Sequence, residues 1–386
     1  MQQGKGLMFS VDEFQQRLAR TRERLSERGV AGMLVHTPEN MYYLSGYHTP
    51  GYYAYQTMLV PTSPAKPPVL LVRRLEESNV REFSWIDTRR VYTDIEDPIE
   101  LTAKVVKESG LEHATLAIEK SAWFLTVANL EALARLLPGV TFVDGSGVVE
   151  QGRVIKSPAE IAYIRKAARA AEAAMRAGLD TTAAGRTEDE VAAEIYRAAI
   201  LAGCEYTSLP QFIASGYRSS ITHATWAGRR IEPGDVVYYE VVGTVQRYSA
   251  SLYRGATIGP PNDKIKRMSD ATIAGLERVL ETMKPGVPCG DVAEAWADAI
   301  VKGGFDRPHK RAGYSIGISF PPDWGEGHIL SLKYGEKRVL EPGMVFHVPS
   351  SIRDEGVALV GNSETILVTD RGSEALTHFP RQHFVK

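Results

Sequence analysis

Two segments in the second half of the chain resemble each other and predict a duplicated structural unit. Residues 175–203 contain "MRAG" followed by "EDEVAAEIYRAAILAG", and residues 283–304 contain "MKPG" followed by "GDVAEAWADAIVKGG". Each segment leads through a loop into a strand region. A duplicated helix-plus-strand unit indicates a pseudo-symmetric domain with a site where its halves meet. The alternative is a pair of unrelated amphipathic helices that both begin with acidic residues, and we favour the duplication.

Helix and strand signals divide the chain into two domains. A capping box, Ser10-Val-Asp-Glu13, opens a helix, and the strands "AGMLVHT", "QTMLVP", "PPVLLVRR" and "ATLAIEK" follow before another helix. This alternation predicts an α/β domain over residues 1–152. A second capping box, Ser157-Pro-Ala-Glu160, then opens an α+β domain over residues 153–386, for which the repeat predicts internal pseudo-two-fold symmetry.

Composition excludes several functional classes. The 386 residues include 45 Lys and Arg against 47 Asp and Glu, so there is no basic excess and we expect no nucleic-acid or membrane partner. The two cysteines, Cys204 and Cys289, lie far apart, which argues against a disulfide framework and suits a reducing compartment. No long apolar segment occurs near the N-terminus or elsewhere. We therefore expect no signal peptide, no membrane span and a cytoplasmic location.

Several ionisable side chains interrupt apolar strands. Glu240 lies in "VVYYEVV" and Glu364 in "GNSETILVTD", both among β-branched residues. A buried carboxyl group needs hydrogen-bond donors or shifts its pKa upward. With His223 from "SSITHATW", these two residues form a candidate acid/base set.

The other polar candidates have plainer explanations that remain open. An isolated histidine such as His347 is more often a satisfied core residue than a catalyst. Asp323 follows Pro-Pro and suits a turn. Arg254 and His328 are compatible with paired or surface positions.

Four ordered segments resemble the pita-bread fold of the creatinase, prolidase and aminopeptidase P superfamily. They are "VIKSPAEIAYIRKAARAAEAAM", "IEPGDVVYYEVVGTVQRYSASLYRGATIG", "RAGYSIG" and "VLEPGMVFHVPSS…SETILVTDRG". The first 150 residues, including "NMYYLSGY", resemble the creatinase-type N-terminal domain. The resemblance implies this two-domain fold for almost the whole chain.

The metallopeptidase branch of that superfamily binds two metal ions through two Asp, one His and two Glu. The resemblance places these positions at Glu240, Ser251, Tyr314, Pro349 and Ser363, with Glu364 one residue beyond the last. Serine, tyrosine and proline cannot replace three such ligands in a dinuclear site. We therefore expect no metal and no cofactor.

Two metal-independent branches of the fold, creatinase and ectoine hydrolase, hydrolyse C–N bonds in small nitrogen-rich zwitterions. "HATW", "GYSIGISFPPDWGE", "PGMVFH" and the ending "FPRQHFVK" are similar to the ectoine hydrolase type. The implied function is metal-independent hydrolysis of an amidine or guanidino zwitterion, with ectoine or a related compound as substrate. The alternatives are a metal-dependent Xaa-Pro aminopeptidase or dipeptidase, and a non-catalytic binding homologue.

The resemblance also suggests roles for individual residues. Carboxylates would pair with a substrate cation, aromatic rings would cover it, and Arg254 or Arg218 would bind a substrate carboxylate. The expected catalytic residues are His223, Glu240 and Glu364. The expected substrate-binding residues are Tyr314, Trp324, Glu326, His347, Arg254, Tyr52 and Tyr53. The superfamily further implies a homodimer in which the N-terminal domain of one subunit closes the partner's site.

Overall fold

The computed structural model describes residues 6–386, which form two compact units. One unit ends at Arg153 and the other begins at Val154, whereas the sequence placed the boundary between residues 152 and 153. Within residues 6–386, no helix is both long enough and apolar enough to cross a membrane.

The N-terminal unit is an α/β domain around a six-stranded mixed sheet, as the alternating pattern predicts. Its elements are α1 (Val11–Glu27), β1 (Gly32–Val35), α2 (Pro38–Ser45), β2 (Thr57–Pro61), β3 (Val69–Arg73), a 3₁₀ turn (Arg74–Glu76), α3 (Glu77–Phe83), β4 (Arg89–Tyr92), α4 (Pro98–Glu108), β5 (Thr115–Ile118), α5 (Val127–Leu136), β6 (Thr141–Asp144) and α6 (Glu150–Arg153). The strand order is β4-β3-β2-β1-β5-β6, with β2 antiparallel to both of its neighbours and the other pairs parallel. Apolar side chains of the sheet and of α4 and α5 form its core.

The C-terminal unit contains two successive sets of two helices, a strand and a long hairpin. The first set is α7 (Pro158–Thr181), α8 (Glu188–Leu201), β7 (Phe212–Ser215), a 3₁₀ turn (Gly216–Ser220), β8 (Val236–Val245) and β9 (Tyr248–Thr257). The second set is α9 (Asp263–Thr282), α10 (Cys289–Lys302), β10 (Gly313–Phe320), β11 (Asp323–Gly325), β12 (Ser331–Leu332), β13 (Val345–Asp354) and β14 (Ala358–Thr369), followed by β15 (Gly372–Ala375) and β16 (Phe384–Val385).

The backbone between the helices of each set confirms the duplication. The Gly185 N–H donates to the Ile231 carbonyl, and the Gly286 N–H donates to the Leu340 carbonyl, both at 2.8 Å. Both glycines adopt left-handed φ values, +88° and +85°, which glycine tolerates without steric cost. The two acceptors each begin a Glu-Pro-Gly turn, "IEPG" and "LEPG", that leads into the hairpin. The two halves therefore share their turns as well as their order of elements.

One sheet contains the strands of both halves. Its order is β15-β14-β13-β10-β9-β8-β7, and β11, β12 and β16 pair at its margins. Helices α7 and α8 pack against the first hairpin and α9 and α10 against the second, each over its own apolar core. At Gly243 of β8 an added Cβ would collide with the Ala167 carbonyl of α7, so glycine is required for this close contact. The opposite face of the hairpins is left to form a site.

Candidate active site

A cavity of about 780 Å³ lies in the C-terminal unit between the two hairpins and the loop that precedes β10. Its wall includes Tyr238, Glu240 and Tyr253 of the first hairpin, Pro349, Ser351 and Arg353 of the second, Asp306, Arg307 and Lys310 of the loop, and His223 and Tyr314. A groove of about 870 Å³ between α9 and α10 is larger, but it contains none of the predicted site residues. The cavity between the hairpins is therefore the candidate site.

Glu240 places a carboxyl group on the cavity wall. It lies in β8, and its backbone pairs with Phe212 on one side and Tyr253 on the other. The Tyr238 hydroxyl donates to Glu240 Oε2 at 3.2 Å. Burial raises the pKa of Glu240 to about 7, although the Tyr238 hydrogen bond and the charge of Lys310 act in the opposite direction. The side chain can therefore gain and lose a proton near neutral pH.

Lys310 supplies a positive charge on the exposed rim of the same cavity. Its Nζ donates to Ser351 Oγ at 2.6 Å and lies 5.8 Å from the centre of the Trp296 ring. Desolvation lowers the pKa of Lys310 to about 8, with Glu240 raising it and Arg353 lowering it further. Neither Lys310 nor Arg353 was among the residues predicted from the sequence. The "GGFDRPHKRAG" loop, rich in charge between a helix and the "GYSIG" strand, was the available signal.

His223 lies on the same wall, in the loop that follows β7. Its backbone has φ of 60°, a left-handed conformation that is uncommon for residues other than glycine and often found at functional sites. Its ring stacks on Phe212, with 5.2 Å between centroids and 30° between planes. Since Phe212 pairs with Glu240 across the strands, the fold brings His223 and Glu240 to one cavity.

Glu188, the first residue of α8, holds both ends of the His223 loop. Glu188 Oε1 accepts hydrogen bonds from the backbone N–H and the hydroxyl of Ser215, both at 2.8 Å. Glu188 Oε2 accepts from the Ala227 N–H at 3.0 Å and from the Arg218 guanidinium. Arg218 also donates to the Thr225 carbonyl at 2.7 Å. Arg218, which was expected to bind a substrate carboxylate, therefore pairs with Glu188 and with the backbone of its own loop.

Tyr314 lines the cavity and begins a buried chain of hydrogen bonds. Its hydroxyl lies 2.8 Å from Nδ1 of His347, and Nε2 of His347 lies 2.8 Å from Ser363 Oγ. Burial, reinforced by the charge of Arg311, lowers the pKa of His347 to about 3, so the ring is neutral. His347 thus contacts Tyr314 from behind and does not itself line the cavity.

Glu364 and Arg254 pair with each other away from the cavity. Both side chains are fully buried, and Arg254 Nη2 donates to Glu364 Oε1 at 2.8 Å. Arg381 donates to the same oxygen at 3.1 Å, and the Thr377 hydroxyl donates to Oε2. Because side chains alternate along a strand, Ser363 faces His347 while Glu364 faces the other way. The structure therefore does not bring Glu364 to Glu240 and His223.

Trp324 and Glu326 of the "PPDWGE" segment also lie outside the cavity wall. Trp324 Nε1 donates to the Tyr314 hydroxyl at 2.9 Å, and its ring packs edge-on against Phe212. The Glu326 carboxylate accepts from Lys156 Nζ at 2.8 Å, and both side chains are about 1% exposed. These residues support Tyr314 and its strand from behind.

Tyr52 and Tyr53 belong to the N-terminal unit. The Tyr52 ring packs edge-on against Phe124, whereas 79% of Tyr53 is exposed. Their expected role in closing a partner's site, and the homodimer itself, stay predictions.

Two family models match the chain in succession. The creatinase/prolidase N-terminal domain matches residues 17–155, and metallopeptidase family M24 matches residues 162–370. The chain belongs to the M24 metallopeptidase family. A relative of this chain, the ectoine hydrolase of Halomonas elongata, is 31% identical over 400 residues, covering 98% of this chain and 99% of the relative.

Other similar proteins have names that denote peptidases. The Xaa-Pro dipeptidase of Pyrococcus horikoshii is 28% identical over 269 residues, covering 69% of this chain and 74% of the relative. The crystal structure of the prolidase from Pyrococcus horikoshii OT3 matches with a TM-score of 0.82 and 26% identity, covering 95% of this chain and 99% of that one. The superfamily and the pita-bread fold expected from the sequence are confirmed.

The five metal-ligand positions of the M24 metallopeptidases do not form a metal site from the residues present. Only Glu240 retains a carboxylate, and Pro349 has no donor atom in its side chain. Ser251 Oγ donates to the Val241 carbonyl at 3.2 Å, and Ser363 Oγ is occupied by His347. Within residues 6–386, no group of three or more His, Cys, Asp or Glu side chains is arranged to hold a metal ion. The donor set does not fit a dinuclear centre.

Proposed function

We propose that this protein hydrolyses a C–N bond of a small nitrogen-rich zwitterion without a metal ion, with ectoine as the leading substrate. One observation carries the proposal: the cavity combines the carboxyl group of Glu240 with the cations of Lys310 and Arg353. A zwitterion has the complementary pair of charges. Its amidinium suits a carboxylate partner, and its carboxylate suits an ammonium or guanidinium.

The charges of the cavity support an assignment of roles. Glu240 pairs with the substrate cation and, once ionised, takes a proton from the attacking water or attacks the carbon itself. His223, on the same wall, transfers a proton to the leaving nitrogen. In the net reaction, the oxygen of water bonds to the amidine carbon, one C–N bond of the ring breaks, and the leaving nitrogen gains a proton. A protonated amidine carbon is already electron-poor, so this route needs no Lewis acid.

The similarity to the ectoine hydrolase of Halomonas elongata supports this substrate class. Because the chain is also similar to an Xaa-Pro dipeptidase, peptide hydrolysis is the alternative function. Against it stands the loss of the metal ligand at four of the five positions of the dinuclear centre, where Ser251, Tyr314, Pro349 and Ser363 occur.

A substrate panel tests the proposal. Purified protein is incubated with ectoine, hydroxyectoine, creatine and Xaa-Pro dipeptides, and products are identified by mass. We expect addition of one water to ectoine or a related compound, and loss of that activity in His223→Ala and Glu240→Gln. Cleavage of Xaa-Pro dipeptides alone would overturn the proposal. Binding of ectoine without turnover would instead favour the non-catalytic homologue.

A further inference from the structure

The Tyr314 hydroxyl belongs to a chain of four hydrogen bonds whose direction can be deduced. Trp324 Nε1 donates to Tyr314 Oη at 2.9 Å, and His347 Nδ1 lies 2.8 Å from the same oxygen. His347 Nε2 lies 2.8 Å from Ser363 Oγ, and the backbone N–H of Tyr253 donates to Ser363 Oγ at 2.7 Å. The indole and the backbone amide at the two ends can only donate.

The single hydroxyl hydrogen of Ser363 fixes the direction of the chain. Ser363 is fully buried, and within residues 6–386 the only acceptor that its hydroxyl contacts is His347 Nε2. If Ser363 donates to Nε2, the neutral imidazole carries its hydrogen on Nδ1 and donates it to Tyr314 Oη. The reverse direction would leave the buried Ser363 hydrogen without an acceptor, which proteins avoid.

In the favoured direction, Tyr314 Oη accepts two hydrogen bonds, from Trp324 and His347. Among residues 6–386, no further acceptor contacts Tyr314 Oη, so its own hydrogen can be donated to a ligand in the cavity that Tyr314 lines. Burial and the nearby Glu240 raise the pKa of Tyr314, which keeps this hydroxyl protonated. In the opposite direction Tyr314 would donate its hydrogen to His347 Nδ1 and could not donate it to a ligand.

We propose that Tyr314 is a fixed hydrogen-bond donor to an oxygen atom bound in the cavity, and that His347 and Ser363 are positioning residues that direct its hydrogen into the cavity. The oxygen is either the substrate carboxylate or the oxygen that adds to the amidine carbon. Tyr314 donates a hydrogen bond and does not transfer its proton. Only the identity of the oxygen rests on the proposed function; the direction of the chain does not.

The tautomer of His347 tests the direction of the chain without any substrate. Protein labelled with ¹⁵N-histidine is studied by long-range ¹H–¹⁵N NMR, and the His347 signals are assigned from their absence in His347→Asn. We expect a neutral ring protonated at Nδ1 throughout pH 6 to 8, and a change of tautomer in Ser363→Ala. A ring protonated at Nε2, or an imidazolium, would overturn the proposal even if the enzyme hydrolyses ectoine.

Kinetics of matched variants test the donor role on the substrate that the panel identifies. If the acceptor is a reacting oxygen, we expect Tyr314→Phe to lower kcat/KM by roughly 10²- to 10³-fold, the usual effect of losing one such donor. The amide N–H of His347→Asn can replace Nδ1–H, whereas that of His347→Gln replaces Nε2. The Asn variant should therefore retain much more activity than the Gln variant.

The kinetic constants identify the acceptor. A rise in KM indicates the substrate carboxylate, and a fall in kcat indicates the oxygen formed in the reaction. Thermal melting of each variant separates these effects from loss of fold. Unchanged kcat/KM in a folded Tyr314→Phe, or equal activity of the Asn and Gln variants, would contradict the proposal.

Discussion

The hairpins β8–β9 and β13–β14 occupy equivalent places in the duplicated unit, yet the carboxyl groups of Glu240 in the first and Glu364 in the second have very different surroundings. Glu240 faces the cavity with one hydroxyl donor, and burial raises its pKa to about 7. Glu364 is fully buried and accepts hydrogen bonds from two arginines and a threonine. Pro349, nine residues after "L" of "LEPG", occurs where the first hairpin has Glu240, nine residues after "I" of "IEPG".

The difference shows what makes a buried carboxyl group available for chemistry. Arg254 and Arg381 give Glu364 a complete set of partners, so that residue stabilises the fold. Glu240 has few partners and faces a cavity of about 780 Å³, so that residue remains able to exchange protons with a ligand.

Removal of the cavity carboxylate should give the largest effect. Glu240→Gln should reduce kcat by roughly 10²- to 10⁴-fold, the usual contribution of a general acid or base, while the melting temperature stays near or above that of the wild type. The isosteric amide leaves the hairpin packing intact and no longer imposes the cost of a buried charge. Steady-state kinetics with circular dichroism melts provide the measurement. Retention of more than a tenth of the activity would remove Glu240 from the reaction.

The matched substitution in the second hairpin should act on stability instead. Glu364→Gln leaves two guanidinium groups without their counter-charge, and removal of one partner of a buried ion pair costs about 3 kcal/mol or more. We expect a lower urea midpoint and, in the folded fraction, near-normal kcat. A stable Glu364→Gln protein with activity as low as that of Glu240→Gln would show that Glu364 takes part in the chemistry.

The pH dependence should follow Glu240 and Lys310 and be independent of Glu364. Glu240 must be ionised to accept a proton, so kcat/KM should rise about tenfold per pH unit below its pKa of about 7. Lys310 must be charged to bind a carboxylate, so kcat/KM should fall above its pKa of about 8. Lys310→Met should raise KM and abolish the alkaline limb, and Glu364→Gln should leave the profile unchanged. A flat profile between pH 5 and 9 would contradict both roles.

A third carboxylate, Glu188, should give a smaller effect because it acts on the position of His223. Glu188→Gln keeps an acceptor for Ser215 but presents an amide N–H to the Arg218 guanidinium. We expect kcat to fall about tenfold as the loop loses its order, with a moderately lower melting temperature. The control is Glu190→Gln, which alters a partly exposed carboxylate on the same helix. A loss as deep as that of Glu240→Gln would mean that Glu188 acts directly on the substrate.

Much of the fold could be predicted from the sequence because helix caps and turns depend on residues that are close together in the chain. The capping boxes at Ser10 and Ser157 mark helix starts, although only the second forms both reciprocal hydrogen bonds. The repeat of helices and turns predicted the two halves. Glu240 and His223 were predicted as site residues because each is an ionisable residue that interrupts a local sequence pattern. Both line the cavity in the structure.

Other parts of the site depend on three-dimensional contacts that the sequence does not display. Lys310 and Arg353 resemble ordinary surface charges, and only the cavity gives them a function. Glu364 illustrates the converse: its neighbour Ser363 occupies the family's ligand position, and strand alternation alone predicts that Glu364 points to the other face. Trp324 and Glu326 belong to a distinctive segment, yet their partners are Tyr314 and Lys156 rather than the cavity.

The most direct test of the central claim is turnover of ectoine by protein freed of metal. After dialysis against a chelator and measurement of residual Mn, Co and Zn by mass spectrometry, ring opening is followed by NMR for the wild type and Glu240→Gln. We predict full activity of the metal-free wild type, no gain on adding metal, and loss of activity in the variant. Turnover that appears only when a divalent metal is restored would contradict it.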